Sequence, residues 1–166
     1  MIVVAMPEEL ELVNGTVEHP VIVTGIGGLN VIEALQNLPR EIPIYNVGYA
    51  GSNCIPKGTR CKIGAVRSYH PEATFEESSF VLSGDTPCYT SSDFVTWTDI
   101  KEPCVFDMEL AYILALGFTN VYAEKIVSDN LSVGEYEKTK RGSHEKGTGH
   151  RQPERPDPLR EKRQKE

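Results

Sequence analysis

Acidic side chains and small-residue turns follow several apolar segments of the sequence, and these are the groups that could do chemistry. Glu8 and Glu9 follow the first apolar segment, Met108-Glu109 follows a later one, and Ser128-Asp129 closes the last. Carboxyl groups act as general acids and bases, and glycine turns bring backbone N–H groups close to a ligand. Further candidate turns lie at residues 25–28, 48–52 and 83–85. Taken singly, each of these features is a weak signal.

The elements that must position these groups are short apolar strands alternating with helical patterns. Strands are predicted at residues 2–5, 21–24, 42–47, 61–66, 80–82 and 121–127. Apolar residues recur at helical spacing from Leu29 to Leu38, where Pro39 stops them. A second helix is predicted over residues 107–116, with acidic residues in its first turn and Gly117 ending it, and a short third one near 131–137.

This alternation predicts an α/β fold: a single domain with a central mixed, mostly parallel twisted sheet flanked by helices. The strand, helix, strand order over residues 21–47 implies a right-handed parallel crossover. Ligands of open α/β sheets bind at the carboxyl ends of the strands, where the loops converge. We therefore expect the candidate groups to meet at that edge.

The order of these segments resembles the nucleoside phosphorylase superfamily, and most closely its 5'-methylthioadenosine/S-adenosylhomocysteine nucleosidase branch. The matching stretches cover about residues 2–137 in family order: VVAMPEELEL, VTGIGGLNVIEAL, IYNVGYAGS, IGAVRSYH, VLSGDT, VFDMELAYILALG and KIVSDNLS. The most specific are the Met-Glu pair opening a helix and the Ser-Asp pair closing a strand. The resemblance implies a shortened phosphorylase/hydrolase-like fold that hydrolyses the N-glycosidic bond of a purine nucleoside such as 5'-methylthioadenosine or S-adenosylhomocysteine.

The resemblance also implies a role for each matching residue. Glu9 falls on the family's water-activating glutamate, Asp129 on the aspartate that protonates the purine, and Met108-Glu109 on the ribose-binding pair. Acid and base would act on opposite sides of one bond. The implied substrate-binding residues are Gly25, Gly27, Gly28, Tyr49, Ala50, Gly51, Asp107, Met108, Glu109 and Ser128. Neither a metal nor an organic cofactor is implied.

Hydrolysis is favoured over phosphorolysis by the residue before the central glycine segment. Phosphorylases of this superfamily tend to carry an arginine there, whereas this chain has Asn46, as in the nucleosidases. A phosphate-dependent phosphorylase stays open as an alternative. It would have to recruit Arg40, Arg60, Arg67 or the backbone N–H groups of residues 25–28.

A second alternative is a non-catalytic nucleoside-binding or assembly module of the same fold. The segment between His70 and Phe80 is shorter than in the family, and Tyr49 replaces a small hydroxyl residue. Each acid also has a purely structural interpretation. Glu8 and Glu9 could be solvated loop residues, Glu109 could stabilise a helix dipole, and Asp129 could be an N-cap.

Composition favours an ordinary cytoplasmic protein. Of the 166 residues, 39% are hydrophobic and 25% are charged, the net charge is -7, and no apolar segment is long enough to span a bilayer. The cysteines Cys54, Cys61, Cys88 and Cys104 lack metal-ligand spacing and are expected to be reduced. We expect no membrane association, and by family analogy we expect a homo-oligomer.

The last 29 residues, 138–166, carry ten Lys or Arg against five Asp or Glu and little apolar surface. Such a segment cannot offset its ordering entropy, so we expect a charged, disordered tail behind a domain over residues 1–137. A basic tail could contact nucleic acid, but no aromatic residue interleaves the charges, so nucleic-acid binding is not predicted.

Overall fold

The computed structural model describes residues 1–13, 18–70 and 79–147, with the backbone alone over 141–147. The strands are β1 (Ile2–Val4), β2 (Val21–Val23), β3 (Ile44–Ser52), β4 (Arg60–Ser68), β5 (Ser79–Val81), β6 (Thr86–Thr90), β7 (Val105–Asp107) and β8 (Val121–Asp129). The helices are α1 (Gly28–Leu35), α2 (Leu110–Ala115), α3 (Val133–Gly147) and a short 3-10 helix (Pro7–Leu12). The predicted α/β class is confirmed.

The strands form a single mixed sheet that closes on itself. Strand β3 pairs with both β7 and β8, β8 pairs with β4, and β4 is linked back to β7 through β6. Strands β1 and β2 extend the sheet beyond β3, and β5 extends it beyond β4. Most pairings are parallel, and the antiparallel ones are β3 with β7, β4 with β5 and β4 with β8. The sheet is therefore barrel-like rather than open.

The main core lies between this sheet and the helices α1 and α2. Strands β3, β4 and β8 contribute Ile44, Ile63 and Val127, and helix α2 contributes Leu110 and Ile113, all of which are buried. Helices α1 and α2 approach closely because Gly28 has no side chain: a Cβ there would lie 2.5 Å from the ring of Tyr112. The close approach brings the turn before α1 towards the start of α2.

Helix α1 is shorter than predicted, and its apolar face differs from the predicted one. It buries Val31 and Leu35, whereas Leu29 is 85% exposed. Arg40 donates hydrogen bonds to the carbonyl oxygens of Leu35, Gln36 and Leu38, which satisfies the end of the helix.

Two predicted boundaries are wrong, and two strands, β6 and β7, were not predicted. Residues 48–52 are not a turn but the second half of β3, because small residues there pair along β8 and β7. The predicted helix over residues 107–116 begins only at Leu110. Asp107 ends β7 and accepts a hydrogen bond from the Leu110 N–H, so its carboxylate stops the strand and starts the helix. Strand β6 contains Pro87, which masked its strand pattern.

The carboxyl-terminal part of the chain continues as a helix beyond the expected domain boundary. Helix α3 runs through residue 137 to Gly147, so residues 138–147 differ from the expected disorder. Thr139 donates hydrogen bonds from its hydroxyl to the carbonyl oxygens of Ser128 and Glu135, which fastens this helix to the end of β8. The rest of the predicted tail, 148–166, lies outside the described residues. Within the described part of the chain, no helix is long and apolar enough to cross a membrane.

Candidate active site

A cavity of about 150 Å³ lies where β3, β7 and β8 end, beside the short 3-10 helix. Its acidic residues come from three places in the chain: Glu9 from the 3-10 helix, Asp107 and Glu109 from the end of β7, and Asp129 from the end of β8. Each of these acids is at least nine-tenths buried. The wall consists of Ala5, Met6, Glu9, Ile26, Tyr49, Ala50, Gly51, Phe94, Phe106, Asp107, Met108, Glu109, Ser128, Asp129 and Tyr136.

The carboxylate of Glu9 is fixed by three backbone donors. Its Oε2 atom accepts hydrogen bonds from the N–H groups of Ala5 and Met6, at 2.8 and 3.0 Å. Its Oε1 atom accepts one from the N–H of Tyr49, at 2.8 Å. Gly48 makes room for this side chain, since a Cβ at Gly48 would lie 2.8 Å from Oε1. Glu9 is 3% exposed, so it is not a solvated loop residue.

Asp129 is fully buried at the end of β8 and joins the cavity to the start of α3. Its Oδ2 atom accepts a hydrogen bond from the Ser128 hydroxyl at 2.7 Å, and its Oδ1 atom accepts one from the Ser132 N–H at 3.2 Å. The second contact holds the turn before α3, because Ser132 directly precedes Val133, the first residue of that helix, so Asp129 is not its N-cap. Gly51 makes room for the carboxyl group, because a Cβ there would lie 3.0 Å from Oδ1. Asp129 therefore holds the turn before α3 and also lines the cavity.

Glu109 lies between the end of β7 and helix α2. Its Oε1 atom accepts a hydrogen bond from the Gly27 N–H at 2.9 Å, and its Oε2 atom accepts a longer one from the Met108 N–H at 3.3 Å. Burial, followed by repulsion from Asp107, raises the pKa of Glu109 from its ordinary value of 4.5 to about 7. This carboxyl group is therefore divided between its two protonation states near neutral pH.

Asp107 lines the cavity, but both of its carboxylate oxygens are already engaged. Oδ1 accepts a hydrogen bond from the Thr90 hydroxyl at 2.5 Å. Oδ2 accepts one from the Leu110 N–H and lies 2.8 Å from the Lys125 ammonium nitrogen. Lys125 was not singled out in the sequence, although a lysine within the apolar segment of β8 was the signal for a buried charge.

The apolar wall was also missed by sequence reasoning. Met6, Ile26, Phe94, Phe106 and Tyr136 line the cavity, and none of them has a distinctive motif. The rings of Phe94 and Tyr136 lie 5.6 Å apart, and the Tyr136 hydroxyl donates to the Met6 sulfur at 3.4 Å. Burial, followed by the negative charge of Glu9, raises the pKa of Tyr136 to about 12, so the phenol stays protonated.

Three predicted binding residues lie outside the cavity wall. Gly25, Gly27 and Gly28 form the turn before α1, but only Ile26 of this turn lines the cavity. Gly27 takes part indirectly: its positive φ of 90° aims its N–H at Glu109. The predicted turn at 83–85 lies elsewhere, in a groove beside β4 and β6.

Two aromatic residues differ in their position relative to the cavity. Tyr49, which replaces a small hydroxyl residue, lines the wall, and it packs against the apolar cluster of Ile2, Val4, Val47 and Ile126. Tyr69 is buried outside the wall, where its hydroxyl donates to Thr98 Oγ1 at 3.1 Å.

The three arginines that could have held phosphate are engaged elsewhere. Arg40 binds the end of α1, Arg60 forms an ion pair with Glu124, and Arg67 lies 3.9 Å from Glu102. None of them lines the cavity. Asn46 is buried in β3 and donates a hydrogen bond to the Val3 carbonyl oxygen, away from the wall.

The thiols and the possible metal ligands do not add to the site. All four cysteines are free, and Cys61, Cys88 and Cys104 are buried while Cys54 is exposed. Among the described residues, no group of three or more His, Cys, Asp or Glu side chains could hold a metal ion.

Comparison with known proteins identifies the fold. No protein-family profile and no curated protein sequence matches this chain. The structure is similar to an MTAN variant from Chlamydia trachomatis bound to MTA, with a TM-score of 0.70 and 17% sequence identity over 87% of this chain and 90% of that one. It is also similar to the 5'-methylthioadenosine/S-adenosylhomocysteine nucleosidase from Streptococcus pneumoniae with the transition-state inhibitor MT-ImmA, with a TM-score of 0.63 and 18% identity over 87% and 94% of the two chains.

The corresponding nucleosidase from Neisseria meningitidis, in complex with methylthio-immucillin-A, has a TM-score of 0.65 at 15% identity, covering 86% of this chain and 92% of the other. The similarity therefore spans nearly the whole of each protein, although few residues are identical. The chain has the fold of the 5'-methylthioadenosine/S-adenosylhomocysteine nucleosidases.

Proposed function

We propose that the protein hydrolyses the N-glycosidic bond of a purine nucleoside such as 5'-methylthioadenosine or S-adenosylhomocysteine. The observation that carries the proposal is that Glu9, Glu109 and Asp129, which are distant in the sequence, line one buried cavity. Solved structures of the same fold support it, because they hold MTA, the transition-state inhibitor MT-ImmA or methylthio-immucillin-A.

Glu9 is the general base. Its three backbone contacts fix the plane of the carboxylate, and Oε1, which accepts only the Tyr49 N–H, has capacity for a further hydrogen bond. A water molecule held there would attack C1' of the ribose while one of its protons passes to Glu9. The base is thus oriented before the substrate binds, which lowers the entropic cost of the attack.

Asp129 is the general acid on the other side of the bond. In its protonated form it would donate to N7 of the purine, so that the bond electrons leave with a neutral base. Ser128 is placed to support this transfer, since its hydroxyl lies 2.7 Å from Asp129 Oδ2 and 3.3 Å from the Ala50 carbonyl oxygen. In the overall reaction, the hydroxide of one water molecule becomes bonded to C1' of the sugar. The remaining proton of that water replaces, by way of Glu9 and Asp129, the proton that the purine receives.

Glu109 would accept hydrogen bonds from the ribose hydroxyl groups, beside Met108. The Gly27 N–H holds one of its oxygens and leaves lone pairs for the sugar. Ionised Glu109 is the stronger acceptor, and its pKa of about 7 means that binding is favoured as the pH rises through neutrality. The apolar residues Met6, Ile26 and Tyr136 would enclose the rest of the nucleoside.

Water rather than phosphate is the proposed nucleophile, because no arginine among the described residues lines the cavity and Lys125, the buried lysine beside it, is paired with Asp107. A phosphate-dependent phosphorylase would need a cation free to meet the anion. Activity in phosphate-free buffer, unchanged by added phosphate, is the result that separates the two reactions.

The direct test is adenine release from 5'-methylthioadenosine and S-adenosylhomocysteine, followed by chromatography. Asp129→Asn is expected to lower kcat by about 10²–10⁴-fold, the usual contribution of a general acid. Asp85→Asn is the matched control, because Asp85 is an exposed aspartate outside the cavity wall. A folded wild type that binds the nucleosides by calorimetry and releases no base would favour the non-catalytic module instead.

We also propose that the protein forms a homo-oligomer. Leu29, Ile26 and Val23 are 85%, 43% and 43% exposed. Val23 ends β2, the edge strand of the sheet, and Ile26 and Leu29 follow it in the turn and at the start of α1. Apolar surface at a sheet edge is a typical contact between copies of a chain. Light scattering should give a mass above that of one chain, and Leu29→Lys should lower it, whereas Lys62→Glu, at an exposed site on β4, should not.

A further inference from the structure

Lys125 is the one lysine buried among the described residues, and the proposed reaction does not use it. It lies within β8, four residues before Asp129. Its side chain is 1% exposed, and the attraction of Asp107 and Glu109 outweighs burial and raises its pKa above the ordinary value. Lys125 is therefore a permanent positive charge in the interior.

Asp107 is the partner of this charge and is held by it and by two further donors. The Lys125 nitrogen lies 2.8 Å from Oδ2, and Thr90 and the Leu110 N–H complete the contacts. Both oxygens are therefore held by the protein itself. Asp107 is better explained as a support of the site than as a ligand to the substrate.

The ion pair joins two strands that do not pair with each other. Strand β7, which ends at Asp107, leads directly into Met108 and Glu109, and strand β8 ends at Asp129. Each pairs with β3, and no backbone ladder connects them to each other. The Lys125–Asp107 contact is thus a direct side-chain link between the strand of one proposed functional acid and the strand of the other.

The same pair balances the charge around Glu109. The groups that act on Glu109 are Asp107 from β7, Lys125 from β8, the Gly27 N–H from the turn before α1, and Glu9 from the 3-10 helix. Cys88 on β6 and the Tyr136 phenol on α3 also interact with it, both as neutral groups. Lys125 is thus the only full positive charge among these neighbours.

Stability alone does not require such a pair, because a buried ion pair can often be replaced by apolar residues without loss. Its position between the two strand ends supplies a reason for it. We propose that Lys125 and Asp107 form a positioning pair for the proposed active site, which links the strands of Glu109 and Asp129 and balances the charge beside the Glu109 carboxyl. The inference rests on the proposed function for its purpose, but the effect on Glu109 is measurable without turnover.

The test follows the carboxyl carbon of Glu109 by nuclear magnetic resonance in ¹³C-glutamate-labelled protein, with Glu109→Gln identifying the signal. Lys125→Met removes the positive neighbour and should raise the midpoint of the Glu109 titration by about one pH unit or more. Asp107→Asn removes the negative neighbour and should lower it by a similar amount. The double variant should return close to the wild type, because the two removed charges cancel.

The decisive result is that the Glu109 titration midpoint shifts in opposite directions in Lys125→Met and Asp107→Asn. Loosening of the fold would shift the midpoint in the same direction in both variants. Lys125→Arg keeps the charge and should keep the wild-type titration. Arg60→Met is the matched control. It removes a cation from the ion pair between Arg60 on β4 and Glu124, the residue next to Lys125 on β8. If a single variant does not fold, the double variant, which leaves no unpaired buried charge, carries the comparison through the pH profile of kcat/KM.

Unchanged Glu109 midpoints in folded single variants, or shifts of the same sign, would overturn the positioning pair. Failure of the proposed function is a separate result: the wild type would release no base while its Glu109 titration still responded to Lys125 and Asp107. In an active enzyme, the Glu109-dependent limb of the kcat/KM profile should move with the titration measured by magnetic resonance.

Discussion

Replacing Glu109 by glutamine should change how the stability of the protein depends on pH. In the unfolded chain this carboxyl group has its ordinary pKa of 4.5, and in the folded protein burial raises the pKa to about 7. Between these values the folded state keeps a proton that the unfolded chain has lost, so raising the pH favours unfolding. The interval of about 2.5 pH units, at about 1.36 kcal/mol per unit, amounts to about 3 kcal/mol.

Glutamine has no proton to lose, yet its side-chain oxygen can still accept the Gly27 N–H. Relative to the wild type, Glu109→Gln should therefore gain about 3 kcal/mol of unfolding free energy between pH 4.5 and pH 8. Urea denaturation, monitored by circular dichroism at several pH values, measures this difference. Glu33→Gln, at an exposed position on α1, is the control and should run parallel to the wild type. A Glu109→Gln curve that also runs parallel to the wild type would refute the assigned burial effect.

Further substitutions test the packing and the base. Gly28→Ala should lower the unfolding free energy by about 1–3 kcal/mol, because its Cβ would lie 2.5 Å from the Tyr112 ring. Gly134→Ala, at an open position in α3, should instead stabilise by up to about 1 kcal/mol in the same denaturation assay. Glu9→Gln should abolish adenine release and cost about 1–3 kcal/mol, since an amide nitrogen would face a backbone N–H donor. Equal stability of Glu9→Gln and wild type would contradict the hydrogen bonds assigned to Glu9.

The strands and the fold class could be predicted because apolar, β-branched segments determine them locally. The sequence did not predict closure of the sheet, since the pairing of β4 with β8 depends on contacts between distant segments. The turn predicted at residues 48–52 was wrong for a related reason. Small residues at Gly48 and Gly51 are typical of turns, but here they leave room for the side chains of Glu9 and Asp129.

The candidate site, like the fold, could be predicted only in part. The family resemblance placed Glu9, Glu109 and Asp129 in one hypothesis, and the structure brings all three to one cavity. The apolar wall could not be predicted, because Phe94 and Tyr136 come from a loop and a helix without regular motifs. Lys125 lay within a segment that was predicted to be a buried strand, where a charged residue requires a buried partner. That partner, Asp107, comes from another strand, so no local pattern could identify the pair.

The three acids meet because β3 is shared by the strands that carry two of them. Gly51 of β3 is paired with Phe106 of β7 on one side and with Asp129 of β8 on the other. A third contact, from the Tyr49 N–H to Glu9, fixes the base to the same strand. The relative positions of the proposed base, acid and ribose-binding group therefore depend on one five-residue stretch, 48–52. Because charges in a cavity with mostly apolar walls interact more strongly than in water, small displacements of this stretch should affect cleavage more than folding.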